Sequence, residues 1–489
     1  MNQRFLLYIL LWISPVVVYG SAIFADYGFR DDYSITRETH EEPGKALTFT
    51  ASHGRILYGV LLERSFSLMR TIDDLVWLRL ASALLVTGFA ILFFLQLEAS
   101  GWDELESVAS ALAIAFLPAA QVAISWTVGW PWGIALICTV LGFRLCMQAW
   151  EKTDVTRYVL ILCAIVLYMV STAIYQSDTL VAVVLLAAVL LAPGYQASHR
   201  QTIYFAFYHL GVIVAALLLS YGVLQLLFEQ GVFHASGRLQ FETHIFSKAV
   251  WFLTQSLPNA MAFLTLRDDF GTGATGFWCL VILVGVMIVF ALYRQVAKKR
   301  LFAWLLCVLL LPWIAHGISL VAAERVLGYR TTFALSGLVV VLAVASLREI
   351  VSLRFRSGVI LLMVVVSAWQ AHQQSYHLIA EPQQREWHMI KEAVARLSVG
   401  VPVKVYLIEP KPVNRSTDRV FRDEYGSFTS NSAWAPEEMF KAAVQQRFAG
   451  KIPAGWHCDF YHGGEEPDPN VHYDDVIDMR TLSQWRHSS

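Results

Sequence analysis

The sequence predicts an all-α polytopic membrane protein of about eleven transmembrane helices, followed by a small α/β domain outside the bilayer. Three observations predict it. Only 15% of the 489 residues are charged and 56% are hydrophobic, whereas a soluble chain carries about 25% charged residues. Apolar runs of roughly 18 residues or more recur along the first three quarters, and a bilayer core about 30 Å thick takes about 20 helical residues to cross. Those runs lack period-2 alternation, and a segment in lipid must pair its own backbone groups, which a helix does.

In order, the spans fall near residues 5–25, 76–97, 107–127, 130–149, 157–175, 178–194, 203–228, 276–294, 301–322, 331–347 and 357–373. The 16 Trp and 19 Tyr suit the interfacial belts of such a protein. Small residues at Gly20–Ala22 also fit a cleaved signal peptide, but the first apolar stretch exceeds the usual h-region, so it reads as a span. Alternating sides from the N-terminus collects Arg4, Arg144, Lys152, Arg157, Arg200, Lys298–Arg300, Arg348, Arg354 and Arg356 on one face. By the positive-inside rule that face is cytoplasmic. Residues 26–75, 229–275, 323–330 and the tail then face outward. Lys248 to Leu266 is apolar enough to be mistaken for a span, yet Gln255, Ser256, Pro258 and Asn259 stand at its middle. A re-entrant or interfacial segment is the reading that keeps the charge rule intact.

The transmembrane domain therefore covers 1–375, and residues 380–489 form a soluble extracytoplasmic domain, near the lower size limit for an independent core. Glu381 to Leu397 predicts a helix and Val403–Ile408 a strand. A second helix opens at Pro436, with Phe440, Val444 and Phe448 on one face. His462 to Pro469 reads as loop.

The long first outer loop, 26–75, holds the chemistry of most interest. It begins Asp26–Tyr27–Gly28–Phe29–Arg30–Asp31–Asp32–Tyr33, followed by Arg37, Glu38 and later His53–Gly54–Arg55. Asp31 and Asp32 emerge just beyond the first span. Adjacent carboxylates raise one another's pKa, so a cation, a base role or plain water has to compensate. One of them can take a proton from an attacking hydroxyl while the other orients it or holds a divalent metal such as Mg or Mn; a solvated polar loop is the plainer alternative. Ile56, Leu57, Val60, Leu61, Phe66, Leu68 and Met69, interleaved with Arg55, Glu63, Arg64 and Arg70, suit helices lying in the interface. Arg55, Arg325 and Arg330, the last two in the outer Glu324–Arg330 loop, lie near span ends. A guanidinium there either binds phosphate bidentately or pairs with lipid headgroups.

Other polar strings carry less. Arg267–Asp268–Asp269–Phe270 precedes a glycine run, 271–276, that no strand introduces, so it is a weak phosphate-loop candidate. His209, His316, Gln121 and Asp178 stand singly in or beside spans. His457, Cys458 and His462 are too sparse for zinc. A net charge of −1 argues against a nucleic-acid partner. Functional charge within the spans, expected of a transporter or flippase, is scarce. A polymerase or ligase acting on diphosphate-linked glycans remains the alternative enzyme.

A first span followed at once by an outward acidic pair, then a long interfacial loop and many more spans, resembles the GT-C superfamily of membrane glycosyltransferases. More narrowly, Asp31–Asp32–Tyr33 with Arg37, then Gly54–Arg55–Ile56–Leu57 and the later Arg325–Val326–Leu327, is similar to the serotype-converting O-antigen glucosyltransferases (Gtr type II). The motifs cover about 60 residues well; the tail has no counterpart in the resemblance. The resemblance implies an inverting hexosyltransferase in the bacterial cytoplasmic membrane, with a polyprenyl-phosphate sugar donor and a lipid-linked or cell-surface glycan acceptor. Asp31 or Asp32 would be the base, and Arg55, Arg325 and Arg330 would meet the donor phosphate. Arg37, Glu38, His53 and Glu324 would stand around them.

Overall fold

The computed structural model describes residues 3–267, 274–298, 300–326, 328–398, 401–411, 421, 424–448 and 456–482. Asp268, Asp269 and the start of the glycine run that follows lie outside them. The described chain is a helical bundle with one small sheet at its C-terminal end. Eight helices are long and apolar enough to span a bilayer by themselves. A ninth span is a pair, Glu104–Ala115 and Pro118–Ser125, bent by 54°. Pro118 explains the bend: it cannot donate to the turn before it, yet it suits the first position of a new helix. Among the described residues the structure thus has eight such helices, or nine with the bent pair, against the eleven expected from hydropathy; Gln176–Leu191 and Leu301–Ala315 are apolar helices shorter than a bilayer crossing takes.

Burial sorts these helices into a centre and a periphery. Every residue from Val181 to Leu191 is buried, and so is every residue from Phe333 to Leu347. Helices apolar all round belong in the middle of a bundle. The helices His199–Glu229 and Ala274–Val296, by contrast, are each buried over only 22% of their apolar windows, which leaves wide faces for lipid. The segment containing Lys248 folds as one short helical stretch, Ile245–Met261, with a π-turn at Phe252–Ser256. It ends where Phe263 takes a positive φ of 52°.

The loop between the first two spans is helical: α1 (Gln3–Phe24) is followed by α2 (Asp31–Glu41), α3 (Lys45–Ser52) and α4 (Ile56–Phe66). Asp74 then starts the second span. Its Oδ2 accepts the N–H groups of Arg70 at 2.8 Å and Thr71 at 3.0 Å, satisfying donors that a helix start leaves open.

The last span does not stop at the bilayer. A continuous helical stretch runs from Arg354 to Arg396, through a π-turn at Gln374–Ala380, into the C-terminal domain. There β1 (Val403–Ile408), β2 (Cys458–Gly463) and β3 (Asp475–Asp478) form a parallel sheet in the order β2-β1-β3. β1 pairs Val403 with Cys458 on one side and Val405 with Asp475 on the other. Val403, Val405 and Leu407 point to the buried face, beside the helices Glu381–Arg396 and Ala435–Arg447. His462 and Gly463, expected in a loop, close β2. The domain's apolar core is continuous with that of the loop between the first two spans: Tyr27, Phe29, Tyr33, Tyr58 and Phe66 cluster with Trp387, Ile390, Val405, Met439 and Phe440. Tyr33 and Trp387 lie 5.3 Å apart, ring to ring. A domain this small gains by borrowing apolar surface from the loop beneath it.

Candidate active site

The site is built where the chain leaves α1. Arg79, in the second span, is 1% exposed. Its guanidinium donates to the carbonyls of Ile23 (3.0 Å), Ala25 (2.7 Å) and Tyr27 (2.9 Å) and lies over the Tyr27 ring at 4.3 Å. A buried cation survives only when its donors are met, and the carbonyls at a helix C-terminus need donors. Each answers the other, and the loop emerges in one fixed direction.

The two adjacent aspartates part company at once. Asp32 is fully buried. Its Oδ2 accepts from Phe29 N at 3.0 Å and Thr127 N at 3.3 Å, and its Oδ1 from Val128 N at 3.1 Å. Burial pushes its pKa up to about 7, against the pull of those N–H groups and the Arg79 charge. Tyr58 reaches the same turn from the other side, donating from its hydroxyl to Val128 O at 3.0 Å. Asp32 and Tyr58 thus fix the turn that carries Trp126.

Asp31, half-buried at the start of α2, faces elsewhere. The Tyr58 phenol senses the charges of Asp31, Arg55 and Arg330: burial and Asp31 raise its pKa, while the two arginines lower it. Those three charges therefore lie within electrostatic reach of one phenol. Arg55 lies over the Tyr175 ring at 4.7 Å, and Arg330 over Trp126 at 5.0 Å. A guanidinium stacked on an aromatic face presents its N–H edges in plane, the geometry that matches an oxyanion. Arg30, just before Asp31, also approaches Trp126, at 5.9 Å. It holds φ 47°, a strained backbone for a residue with a side chain, at a cost of about 1–3 kcal/mol.

Gly54 turns the chain into Arg55 with φ 78°; a Cβ there would come within 3.0 Å of Leu224 and 3.2 Å of Gln176. Gln176 anchors the turn, donating to Gly54 O at 3.1 Å. His53 serves as a pin rather than facing the cluster: Nδ1 meets Phe49 O at 2.8 Å and Nε2 meets Ser236 Oγ at 3.2 Å. Arg325 is directed to Ser247 Oγ (2.9 Å) and Glu242 (3.5 Å). The Glu324 carbonyl receives the Lys248 ammonium at 2.9 Å. Arg37 pairs with Glu41, Glu38 and, across to the C-terminal domain, Glu438 at 2.7 Å; Glu38 also takes Lys45 at 2.9 Å.

Among the described residues no three His, Cys, Asp or Glu side chains cluster to hold a metal. The acidic pair does not offer a two-carboxylate chelate, because both Asp32 oxygens accept backbone N–H groups. Residue type and spacing indicated Asp31, Arg55 and Arg330. They gave no sign of Arg79, Tyr58, Trp126, Tyr175 or Glu424, whose roles depend on packing between distant segments. A lone arginine near a span end, such as Arg79, reads as snorkelling until its carbonyl partners are seen.

Fold and site together define a multi-pass membrane protein with a carboxylate and stacked arginines beneath a C-terminal cap. The family model described as "Glucosyl transferase GtrII" matches residues 74–347, more than half of the chain, and the chain belongs to that family. The match holds Arg330 but neither Asp31 nor Arg55, and it stops before the C-terminal domain. A solved structure, the Archaeoglobus fulgidus oligosaccharyltransferase in its apo form, is similar at 12% identity with a TM-score of 0.44. The likeness covers 90% of this chain and 64% of that one, so this chain spans under two thirds of its length. No curated protein matches the sequence.

Proposed function

We propose that this protein transfers a hexose, glucose by its family, from a polyprenyl-phosphate carrier to a lipid-linked or cell-surface glycan at the outer face of the cytoplasmic membrane. The observation that carries the reading is that Arg55 and Arg330 lie on the rings of Tyr175 and Trp126, while Tyr58, which pins the Trp126 turn, is within electrostatic reach of both and of Asp31. Asp31 takes the proton from the acceptor hydroxyl as its oxygen bonds the anomeric carbon. The bond from that carbon to the phosphate oxygen breaks, and Arg55 and Arg330 meet the charge that develops there. Attack from the face opposite the phosphate inverts the anomeric centre, and no protein nucleophile is required. Asp32 and Arg79 position the groups around them.

The test is transfer by the purified protein from polyprenyl-phosphoglucose to extracted acceptor glycan, read by mass spectrometry. Wild type should add one hexose per acceptor site and Asp31→Asn should not. Transfer at the wild-type rate by correctly inserted Asp31→Asn would remove the acid–base reading. Lengthening of the glycan by whole repeats would favour a polymerase. For sidedness, a reporter fused after residue 380 should read extracytoplasmic.

A further inference from the structure

The C-terminal domain lays a strap, residues 424–430, against the site. Helix Glu381–Arg396 holds it from behind. Glu386 accepts Thr429 N at 2.8 Å and Ser430 N at 3.0 Å, and Gln383 donates to Ser427 O at 2.7 Å. Tyr425 anchors it to the bundle, its hydroxyl 2.7 Å from Pro118 O and 3.0 Å from Gln121 Oε1. On the site side, Thr429 Oγ1 accepts Arg30 N at 3.1 Å and Ser427 Oγ accepts Arg30 Nη2 at 3.2 Å. Glu424 sets its carboxylate 3.6 Å from Arg330 Nη1, with the Glu424 side chain fully buried and Arg330 26% exposed. An acidic group buried against the cation proposed to bind phosphate calls for an explanation.

The chemistry of the transfer supplies one. A polyprenyl-phosphate sugar is a phosphodiester with a single negative charge. When its bond to the anomeric carbon breaks, the electron pair stays on the phosphate oxygen, and the carrier departs as a monoester with up to two charges. Arginines that stabilise that developing charge therefore also hold the spent carrier more tightly than the donor. A fixed carboxylate beside one of them opposes this trapping, because it both shares the guanidinium and repels the phosphate.

We propose that Glu424 is a positioning residue for Arg330, whose carboxylate competes with the carrier phosphate and so speeds release of the spent polyprenyl phosphate. This rests on the reading of Arg330 as a donor-phosphate ligand. The experiment measures inhibition of transfer by added undecaprenyl phosphate, with donor KM and kcat, for the full-length wild type, Glu424→Gln and Glu424→Asp. Glu424→Gln should bind undecaprenyl phosphate on the order of tenfold more tightly, lower the donor KM and reduce kcat. Glu424→Asp, which keeps the charge, should stay near wild type and guards against a merely structural defect. An inhibition constant that is unchanged or weaker in Glu424→Gln overturns the proposal while leaving the lipid-phosphate reading in place. Failure of undecaprenyl phosphate to inhibit any of the three proteins, Glu424→Gln included, overturns both.

Discussion

The two ends of the helix bundle use arginine differently. At the end away from the C-terminal domain, Arg348 meets Glu106 at 3.1 Å and the Leu191 carbonyl, and Arg356 meets Asp103 and Glu106 at 3.1 and 3.3 Å. Lys298 meets Glu349 at 2.5 Å, and Arg300 the Ala192 carbonyl. These cations staple helix ends together through carboxylates and carbonyls. At the end beneath the domain, Arg55 and Arg330 lie on the rings of Tyr175 and Trp126, with Asp31 nearby. Residue type is therefore a poor guide to role. Stacking alone does not separate the two ends, since Arg348 also lies over the Trp102 ring at 4.7 Å and Arg330 also faces Glu424; burial does, the Arg348 side chain being 9% exposed and that of Arg330 26%.

Substitutions can break or sharpen this contrast. The largest effect expected is from Asp31→Asn, which should lower transfer by about 10²–10⁴-fold with an unchanged melting temperature; parallel loss of both would move Asp31 to the structural side. Arg330→Gln should cost roughly 10²–10³ in kcat/KM, while Arg325→Gln, directed to Ser247 and Glu242, should cost no more than about threefold. Equal losses for the two would dissolve the distinction between them. Arg348→Gln should do the reverse: it leaves the buried Glu106 with Arg356 alone and removes a donor from the Leu191 carbonyl, costs about 2–3 kcal/mol of stability, and leaves the donor KM of the surviving protein alone.

A smaller change is expected at Asp32. Asn offers one acceptor oxygen to three N–H donors, so Asp32→Asn should cost roughly 1–3 kcal/mol. The pH dependence tests its burial. Its folded pKa, about 7, lies above the ordinary 3.8, so the folded state holds the proton more firmly. That contribution is complete below pH 3.8 and is lost as pH rises towards 7. Melting temperatures in detergent should fall across this window in wild type, less so in Asp32→Asn. The smallest effect belongs to Glu438→Gln: breaking the partly exposed Arg37 pair should cost about 1 kcal/mol or less, read as earlier melting.

The long spans were legible because apolar length alone marks them, whereas Gln176–Leu191 and Leu301–Ala315, read as spans from hydropathy, are helices too short to qualify in the structure. The helices and the first strand of the C-terminal domain were legible for the same reason of periodicity. β2 and β3 were not, since Cys458–Gly463 mixes charge, aromatics and glycine, and Asp475–Asp478 is only four residues. Within the site, the types Asp and Arg were readable and their division of labour was not. Asp31 and Asp32 are neighbours in sequence, but successive residues on a helix point about 100° apart. One meets backbone N–H groups; the other, half-buried, faces away from them.

The unbroken helix from Arg354 to Arg396 has a mechanical consequence. At 1.5 Å per residue its 43 residues make a shaft about 65 Å long, roughly twice the thickness of a bilayer's hydrocarbon core. Glu386, near its upper end, grips the strap that bears Glu424. The carboxylate that faces Arg330 is thereby tied, through one strap, to a helix continuous with the last span.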